Sequence, residues 1–185
     1  MKRELIIEEA FKMFSENGYY GTSLAILANK VGIKKPSLYN YFTNKDELYE
    51  ICIKRCMDRG INNLEKINIT SSSTKEDIYE LSKNYIFDDI KYISFYFQLQ
   101  SSPKIHENTV IHLNKIKQKI IEEKLASYFN DDKYKNEKII HLRTFYNGWL
   151  ARRHFSRNIE TLKISLKEFK IDFNYLYEKI LFESE

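Results

Sequence analysis

The apolar residues of the N-terminal part recur every three or four positions, which is the period of an amphipathic helix. Residues 3–16 carry one such stripe, and Gly18 after it is a natural place for a helix to end. A short second helix is predicted at 24–31, and a third is predicted from Pro36 to about residue 41, because proline fits the first helical position. A long fourth helix is predicted after Asn44, which has a glutamate three residues later, as in a capping box.

The same period continues through the rest of the chain. After a polar stretch at 68–74 it resumes and runs, with a break at Pro103, to about Phe129. A further helix follows to Arg153, and a last one carries Ser165 with a glutamate three residues later, the pattern of an N-terminal cap. The sequence therefore predicts an all-α protein with about nine helices.

Composition supports this class, and the overall charge says little about partners. The 185 residues include only 5 Gly and 2 Pro, which sheet-rich folds use heavily in turns. The formal net charge of +4 describes a mixed surface and does not by itself predict a nucleic-acid partner. No apolar run approaches the roughly 18 residues of a membrane-spanning helix. We therefore expect a cytoplasmic protein with no membrane partner.

Charge is distributed unevenly near the two short helices. They flank a turn at Gly32 and together form a helix-turn-helix pattern. Between Thr22 and Lys45 there are four lysines and no acidic residue, which is a typical footprint for a phosphate backbone. If the third helix enters a major groove, its first residues face base edges and Tyr39 and Tyr41 reach phosphates. The alternative is that these aromatic residues are core and the lysines form a solvated face.

An ordered set of residues in segment 10–48 resembles a known family. The shared positions are Phe14, Gly18, Thr22, Ser23, Ala28, Val31, Gly32, Leu38, Tyr39, Phe42, Lys45 and Leu48. The segment looks like the DNA-binding domain of the TetR family of transcriptional regulators. The resemblance implies an all-helical homodimer with a helix-turn-helix domain at 1–46 and a domain at 47–185 that binds a small-molecule effector and dimerises. Ala25 and Ile26 depart from the polar residues that the family more often has there, which removes one possible backbone contact.

The resemblance also implies roles for individual residues of this segment. Thr22, Tyr39 and Lys45 would contact phosphates, whereas the residues around the start of the third helix would face bases or the groove. The full set of candidate DNA-contacting residues is Thr22, Ser23, Lys34, Lys35, Pro36, Ser37, Tyr39, Asn40, Tyr41 and Lys45.

Two strong apolar stripes near the C-terminus are candidates for a dimer interface. One protomer could bury part of each stripe, but a symmetric partner would complete a four-helix interface, where TetR-like proteins dimerise. The candidate interface residues are Leu142, Phe145, Trp149, Leu150, Phe169, Phe173, Leu176 and Tyr177.

Aromatic side chains point all round the predicted helix within 88–100. One hypothesis is a ligand cavity for a largely apolar effector, and the other is a helix that the protein itself buries on most sides. The candidate ligand-binding residues are Tyr92, Phe95, Tyr96, Gln98 and Tyr146. The cationic run that includes Arg153 and His154 suggests either an anionic effector or, more simply, a solvated helix end.

The sequence contains no sign of an enzyme, a metal site or a cofactor. There is no nucleophile beside a base, no glycine-rich phosphate loop and no metal-ligand spacing, and Cys52 and Cys56 suit a packed core. We therefore expect a regulator, in the first place a repressor that a small apolar ligand releases from a palindromic operator. The alternative is a DNA-binding architectural or partner-recruiting protein of the same fold that needs no ligand.

Overall fold

The computed structural model describes residues 2–70, 72–129 and 132–181, and within these ranges it contains nine α-helices and no strand. The prediction of an all-α fold is therefore confirmed. Two 3₁₀ turns, Leu99–Ser101 and Lys104–His106, and a π-helical turn, Tyr177–Leu181, complete the order. The α-helices are α1 (Lys2–Gly21), α2 (Leu24–Lys30), α3 (Lys35–Leu38), α4 (Lys45–Lys66), α5 (Lys75–Ile86), α6 (Ile90–Gln98), α7 (Glu107–Tyr128), α8 (Lys135–Phe155) and α9 (Ile159–Leu176).

The chain forms two compact units. The first comprises Met1–Ile61 with Lys91–Lys117, and the second comprises Asn62–Ile90 with Gln118–Glu185. The chain crosses between the units at three points, inside α4, at the start of α6 and inside α7, so packing divides the chain differently from the functional boundary expected at residue 46. That functional boundary stays a prediction.

The first unit is built around the apolar face of α1. Phe11 stacks on Phe95 with ring centroids 4.6 Å apart, and Phe14 meets the edge of Tyr49 at 4.8 Å. Cys52 is buried in the same core, and burial raises the pKa of its thiol, which disfavours the reactive thiolate. The expectation of a packed cysteine is therefore confirmed. The fully buried residues of this core include Ile6, Ile7, Ala10, Phe14, Leu27, Ala28, Tyr49, Cys52, Ile53 and Phe95.

The second unit is built from α5, α8 and α9 around an aromatic cluster. Phe169 is at its centre, with ring centroids 5.2 Å from Trp149 and 5.7 Å from Tyr79. The Trp149 indole N–H donates to Asp172 Oδ2 at 2.7 Å, which satisfies the one polar atom of that ring. This cluster holds α8 and α9 together within one protomer.

The N-terminal end of α9 differs from the prediction. Ser165 is buried inside the helix, and its hydroxyl bonds to the Ser156 hydroxyl at 2.6 Å, so the prediction that it caps the helix is wrong. The helix begins earlier because Asn158 and Thr161 form a capping box, in which the Thr161 N–H donates to Asn158 Oδ1 at 2.8 Å.

Replacing Asn158 by alanine is expected to lower the free energy of unfolding by about 1 kcal/mol, because an exposed N–H at the start of α9 loses its acceptor. Denaturant unfolding followed by circular dichroism measures the change. Asn158→Asp is the matched control and should unfold close to the wild type, because its carboxylate keeps the acceptor. Equal losses in both variants would contradict a capping role.

Candidate nucleic-acid interface

The helix-turn-helix is held together by a small apolar contact and a glycine turn. Leu27 and Ala28 of α2 are fully buried, and Leu38 of α3 is buried beside them. Gly32 adopts φ +68° between the two helices, a left-handed conformation in which glycine has no steric cost. The Ile33 N–H then donates to the Ala28 carbonyl at 3.0 Å and closes the end of α2. The predicted helix-turn-helix is confirmed.

The third helix is shorter than predicted. It covers Lys35–Leu38, with Pro36 in its first turn as expected. The chain then continues as a tight turn, in which the Tyr41 N–H donates to the Leu38 carbonyl at 2.9 Å. The N–H of Phe42 donates to the same carbonyl at 3.1 Å, and the Phe42 side chain is buried. Burying this ring brings the chain back to the core before a longer helix can form.

The residues at and around α3 form an exposed surface that is both basic and aromatic. Lys34, Lys35, Pro36 and Asn40 are exposed, and Tyr39 is 50% exposed. Ser37 and Tyr41 are half-buried at its edge. Neither Lys34 nor Lys35 has an ion-pair partner in the part of the chain that the structure describes, so both charges are available to an anionic partner. We call residues 34–40 the recognition surface.

Thr22 and Lys45 are turned toward the protein instead. Thr22 is 3% exposed, and its hydroxyl donates to the Gly18 carbonyl at 2.8 Å. The Lys45 ammonium donates to the Thr22 carbonyl at 2.6 Å and lies 4.3 Å from the Tyr19 ring centroid, and burial lowers its pKa. A phosphate contact from either side chain stays a prediction that requires these internal bonds to rearrange.

Two other residues of the predicted basic footprint, Ser23 and Lys30, differ in the bonds that they make within the protein. Ser23 is the N-cap of α2 by backbone conformation, is half-buried, and makes no side-chain capping bond. Lys30 pairs with Glu9 at 2.8 Å, so its charge is compensated within the protein. The core alternative holds for Phe42, which is buried, and fails for Tyr39, which is exposed, while DNA contact by Tyr39 stays a prediction.

Comparisons with known proteins agree with this geometry. The family described as "Bacterial regulatory proteins, tetR family" matches residues 6–52. The biofilm operon icaADBC HTH-type negative transcriptional regulator IcaR of Staphylococcus aureus (strain Newman) is 31% identical over 175 residues, covering 91% of this chain and 92% of the relative. The chain belongs to the TetR family of transcriptional regulators. IcaR of Staphylococcus epidermidis is 30% identical over 172 residues, with the same coverage.

Solved structures share the fold at lower identity. A TetR-like transcriptional regulator from Rhodococcus sp. RHA1 superposes with a TM-score of 0.69 at 19% identity, covering 96% of each chain. A transcriptional regulator from Aquifex aeolicus VF5 gives 0.71 at 18% identity, covering 95% of this chain and 99% of that one. The TetR-family fold thus extends over both compact units.

The candidate dimer residues are mostly inside the protomer. Phe169 is fully buried, and Leu142, Trp149, Leu150, Phe173 and Leu176 are also buried, while Phe145 and Tyr177 are half-buried. Phe169, which has no exposed surface, is out of a partner's reach, whereas contact of the other candidates with a second copy stays a prediction. The buried residues of this set pack α8 against α9 within one chain, because other helices of the same protomer cover the most apolar face of each helix. The exposed residues of the two helices are those a partner could contact, among them Ile140, Phe155, Ile164, Ile171 and Tyr175.

The candidate ligand residues are divided between the two units. Tyr92, Phe95, Tyr96 and Gln98 belong to the first unit and Tyr146 to the second. Phe95 is fully buried by its stacking on Phe11, and the Tyr96 hydroxyl donates to Asn114 Oδ1 at 3.3 Å. The Tyr146 hydroxyl lies 2.5 Å from Ser82 Oγ, and burial raises its pKa to about 12. A ligand role for these residues stays a prediction.

The cationic end of α8 is less solvated than the sequence suggested. Arg153 and His154 are buried, and an Arg153 Nη1–H donates to the Ser156 carbonyl at 2.9 Å just beyond the helix end. Arg152 pairs with Glu168 across the α8–α9 contact. The expectation of a simply solvated end is wrong for Arg153 and His154, because their neighbours in the fold cover them.

Two further findings concern other kinds of site. Within the described ranges, no helix is both long and apolar enough to cross a membrane. The same residues include no cluster of three or more His, Cys, Asp and Glu side chains placed to hold a metal ion.

Proposed function

We propose that this protein is a homodimeric repressor that binds a palindromic DNA operator through the recognition surfaces of two protomers. The observation that carries the proposal is the exposed run at 34–40, where two lysines without ion-pair partners in the described structure stand beside an exposed tyrosine and asparagine. Lysine supplies affinity for phosphates, and amide and lysine groups read base edges. In this proposal residues 1–46 form the DNA-binding domain and residues 47–185 the effector-binding and dimerisation domain.

Repression is supported by the relatives. IcaR of Staphylococcus aureus is named a negative transcriptional regulator of the icaADBC biofilm operon, and its similarity extends over 91% of this chain. The shared coverage includes the helix-turn-helix and the C-terminal helices alike. We therefore expect operator binding by this chain to lower transcription of the gene it controls.

Dimerisation is supported by an exposed apolar stripe on α8 and α9. On α9, Ile164, Ile171 and Tyr175 are exposed at helical spacing, and on α8, Ile140 and Phe155 are exposed. An open groove of about 500 Å³ on the same two helices could receive side chains from a second copy; it is lined by Trp149, Arg152, Glu168, Ile171, Asp172 and Tyr175. Two α3 helices are needed because one four-residue helix makes too few base contacts for selectivity.

Effector release completes this proposal. A small, largely apolar ligand that binds better to a conformation with wrongly spaced recognition surfaces would shift the population away from the DNA-bound state. The aromatic residues around α6 are the candidate lining.

A second candidate function is DNA binding without an effector, as an architectural or partner-recruiting protein. The fully buried Phe95 ring and the internal bonds of Tyr96 and Tyr146 favour it, because protein groups already occupy the surroundings of these side chains. Thermal-shift measurements with a panel of lipophilic compounds, repeated with DNA present, separate the two. A compound that stabilises the free protein and weakens DNA binding supports the first candidate, and a panel without such a compound supports the second.

DNA reading by α3 is tested with a duplex that wild-type protein selects from a random pool and with a scrambled duplex of equal length. Tyr39→Ala should weaken binding to both duplexes by a similar factor, because a phosphate contact carries no sequence information. Lys35→Ala and Asn40→Ala should each weaken the selected duplex by roughly 5- to 150-fold and also relax the preferred sequence, as expected for lost base contacts. Fluorescence anisotropy at fixed salt measures each dissociation constant.

The matched control for this experiment is Lys115→Ala, which removes an exposed lysine from α7. It should bind both duplexes nearly as the wild type does. Equal losses on selected and scrambled DNA for all three α3 variants would contradict base reading by this helix.

A further inference from the structure

A partly buried polar cluster joins α1, the start of α4 and the connection between α6 and α7, all within the first unit. His106 ends the second 3₁₀ turn and is only 2% exposed, whereas histidine side chains are on average only partly buried in folded proteins. Its Nε2 lies 3.1 Å from Asp46 Oδ1, and the Tyr19 hydroxyl donates to the same carboxylate oxygen at 2.8 Å. Since an ionised carboxylate only accepts, the imidazole N–H is the donor. Side chains from three segments that are distant in the sequence therefore meet at the Asp46 carboxylate.

The cluster continues to the start of the helix-turn-helix. The Tyr19 ring carries the Lys45 ammonium at 4.3 Å from its centroid, and this ammonium donates to the Thr22 carbonyl at 2.6 Å. Thr22 immediately precedes the N-cap of α2, and Lys45 immediately precedes Asp46 at the start of α4. An unbroken series of contacts thus runs from His106 through Asp46, Tyr19 and Lys45 to the beginning of α2.

Each member of the series depends on its neighbours. Burial, together with the hydrogen bond to Asp46, raises the pKa of Tyr19 to about 12, so the phenol keeps the proton that it donates. The His106 ring also packs edge-to-face with the Tyr49 ring, with centroids 5.2 Å apart. Because the Tyr19 hydroxyl and the His106 imidazole donate to one carboxylate oxygen, loss of one donor is expected to rearrange the other.

We propose that His106 is a positioning residue for DNA binding, which acts through Asp46 and Tyr19 to hold Lys45 and the start of α2 in the DNA-binding geometry. This inference rests on the proposed function. It also assigns a purpose to the internal bonds of Lys45, which the family resemblance places at a phosphate: they keep the ammonium beside the backbone that leads into α2 until a phosphate replaces the Thr22 carbonyl as its acceptor.

A second tie between the same segments provides a structural control. The Tyr49 hydroxyl, also on α4, lies 2.8 Å from Ser102 Oγ in the connection after α6, and this pair does not touch Asp46. Removing the hydroxyl with Tyr49→Phe loosens the same connection and keeps the ring that packs against His106 and Tyr19. A merely structural role for His106 would make the His106 and Tyr49 variants behave alike.

The experiment measures binding to the duplex selected by wild-type protein, across a range of salt concentrations, together with thermal unfolding of each variant. His106→Phe keeps a buried ring but removes the donor, and we expect about tenfold weaker binding and a salt slope reduced by up to about 1, as for one lost phosphate contact. His106→Gln places an amide N–H near the position of Nε2 and should restore binding to within about threefold of the wild type. Tyr49→Phe should lower the melting temperature and leave the salt slope unchanged.

A double-mutant cycle with Lys45→Met decides whether His106 acts through Lys45. The loss caused by His106→Phe should largely disappear when Lys45 is already absent, because the two changes remove the same contact. If His106→Phe does not fold, Tyr19→Phe enters the cycle in its place and should show the same coupling.

Independent, additive losses, or a His106→Phe protein that binds like the wild type, would overturn the inference while leaving the proposed function intact. A wild-type protein that selects no duplex from the pool would instead reject the proposed function.

Discussion

Replacing Phe169 by alanine is expected to lower the free energy of unfolding by about 3–5 kcal/mol, the cost of truncating a fully buried phenylalanine. The ring is 0% exposed, and its centroid lies 5.2 Å from that of Trp149, 5.5 Å from that of Phe87 and 5.7 Å from that of Tyr79. Three helices of the second unit meet at or next to this side chain, so the remaining cavity could not collapse without moving one of them. Urea unfolding followed by circular dichroism and tryptophan fluorescence measures the loss.

The control for Phe169 is Lys163→Ala, an exposed position on the same helix, which should change the free energy of unfolding by no more than about 0.5 kcal/mol. The experiment also distinguishes a core residue from an interface residue. A residue at a dimer interface would give a loss that grows as protein concentration rises and the wild type dimerises, whereas a core residue gives the same loss throughout. A small or concentration-dependent effect would return Phe169 to the interface at which the sequence placed it.

Replacing Ile171 by glutamate is expected to convert the proposed homodimer into a monomer and to weaken operator binding by about a hundredfold or more. Ile171 is 63% exposed in a single chain and lies between Ile164 and Tyr175 on the apolar stripe of α9. A charge placed there would have to be desolvated when the partner docks, once on each side of a symmetric interface. Without the partner only one half-site is engaged, which removes most of the specific binding energy.

Analytical ultracentrifugation gives the oligomeric state of the Ile171→Glu protein, and anisotropy with the selected duplex gives its affinity. Ile116→Glu is the matched control, because this residue of α7 is also an exposed isoleucine but lies outside the α8–α9 stripe. It should remain a dimer with nearly unchanged affinity. A dimeric Ile171→Glu protein would show that the partner docks elsewhere, and a wild type that is monomeric at every concentration would reject dimerisation itself.

Local patterns of sequence were sufficient for the class of fold and for the DNA-binding motif. The stripe on α1, the turn at Gly32 and the start of α3 at Pro36 depend on residues within a few positions of one another. Helical periodicity, proline at the first turn and glycine with positive φ act over that same range, so they can be recognised without knowing the rest of the chain. The burial of Cys52 followed from the same periodicity.

Tertiary structure decided which of several equivalent patterns is used. Ser165 with its glutamate has the same capping pattern as a true helix start, but the chain enters α9 at Asn158 because Ser165 lies in the core. The aromatic stripes of α8 and α9 could pack either against a second copy of the chain or against other helices of the same chain, and the structure buries Phe169 within the protomer. A stripe of apolar residues shows that a face will be covered, and it does not show by which chain.

Local sequence patterns also could not predict the long-range contacts at the candidate site. The hydroxyl of Thr22 and the ammonium of Lys45 have the chemistry of phosphate ligands, yet in the structure both groups donate to backbone carbonyls of the protein. His106 lies 60 positions from Asp46, and nothing in its local sequence distinguishes it from the exposed His112. The sequence by itself thus determined the helices and the recognition surface, because those depend on neighbouring residues. Only the tertiary structure decided which polar groups are already satisfied, because their partners come from distant segments.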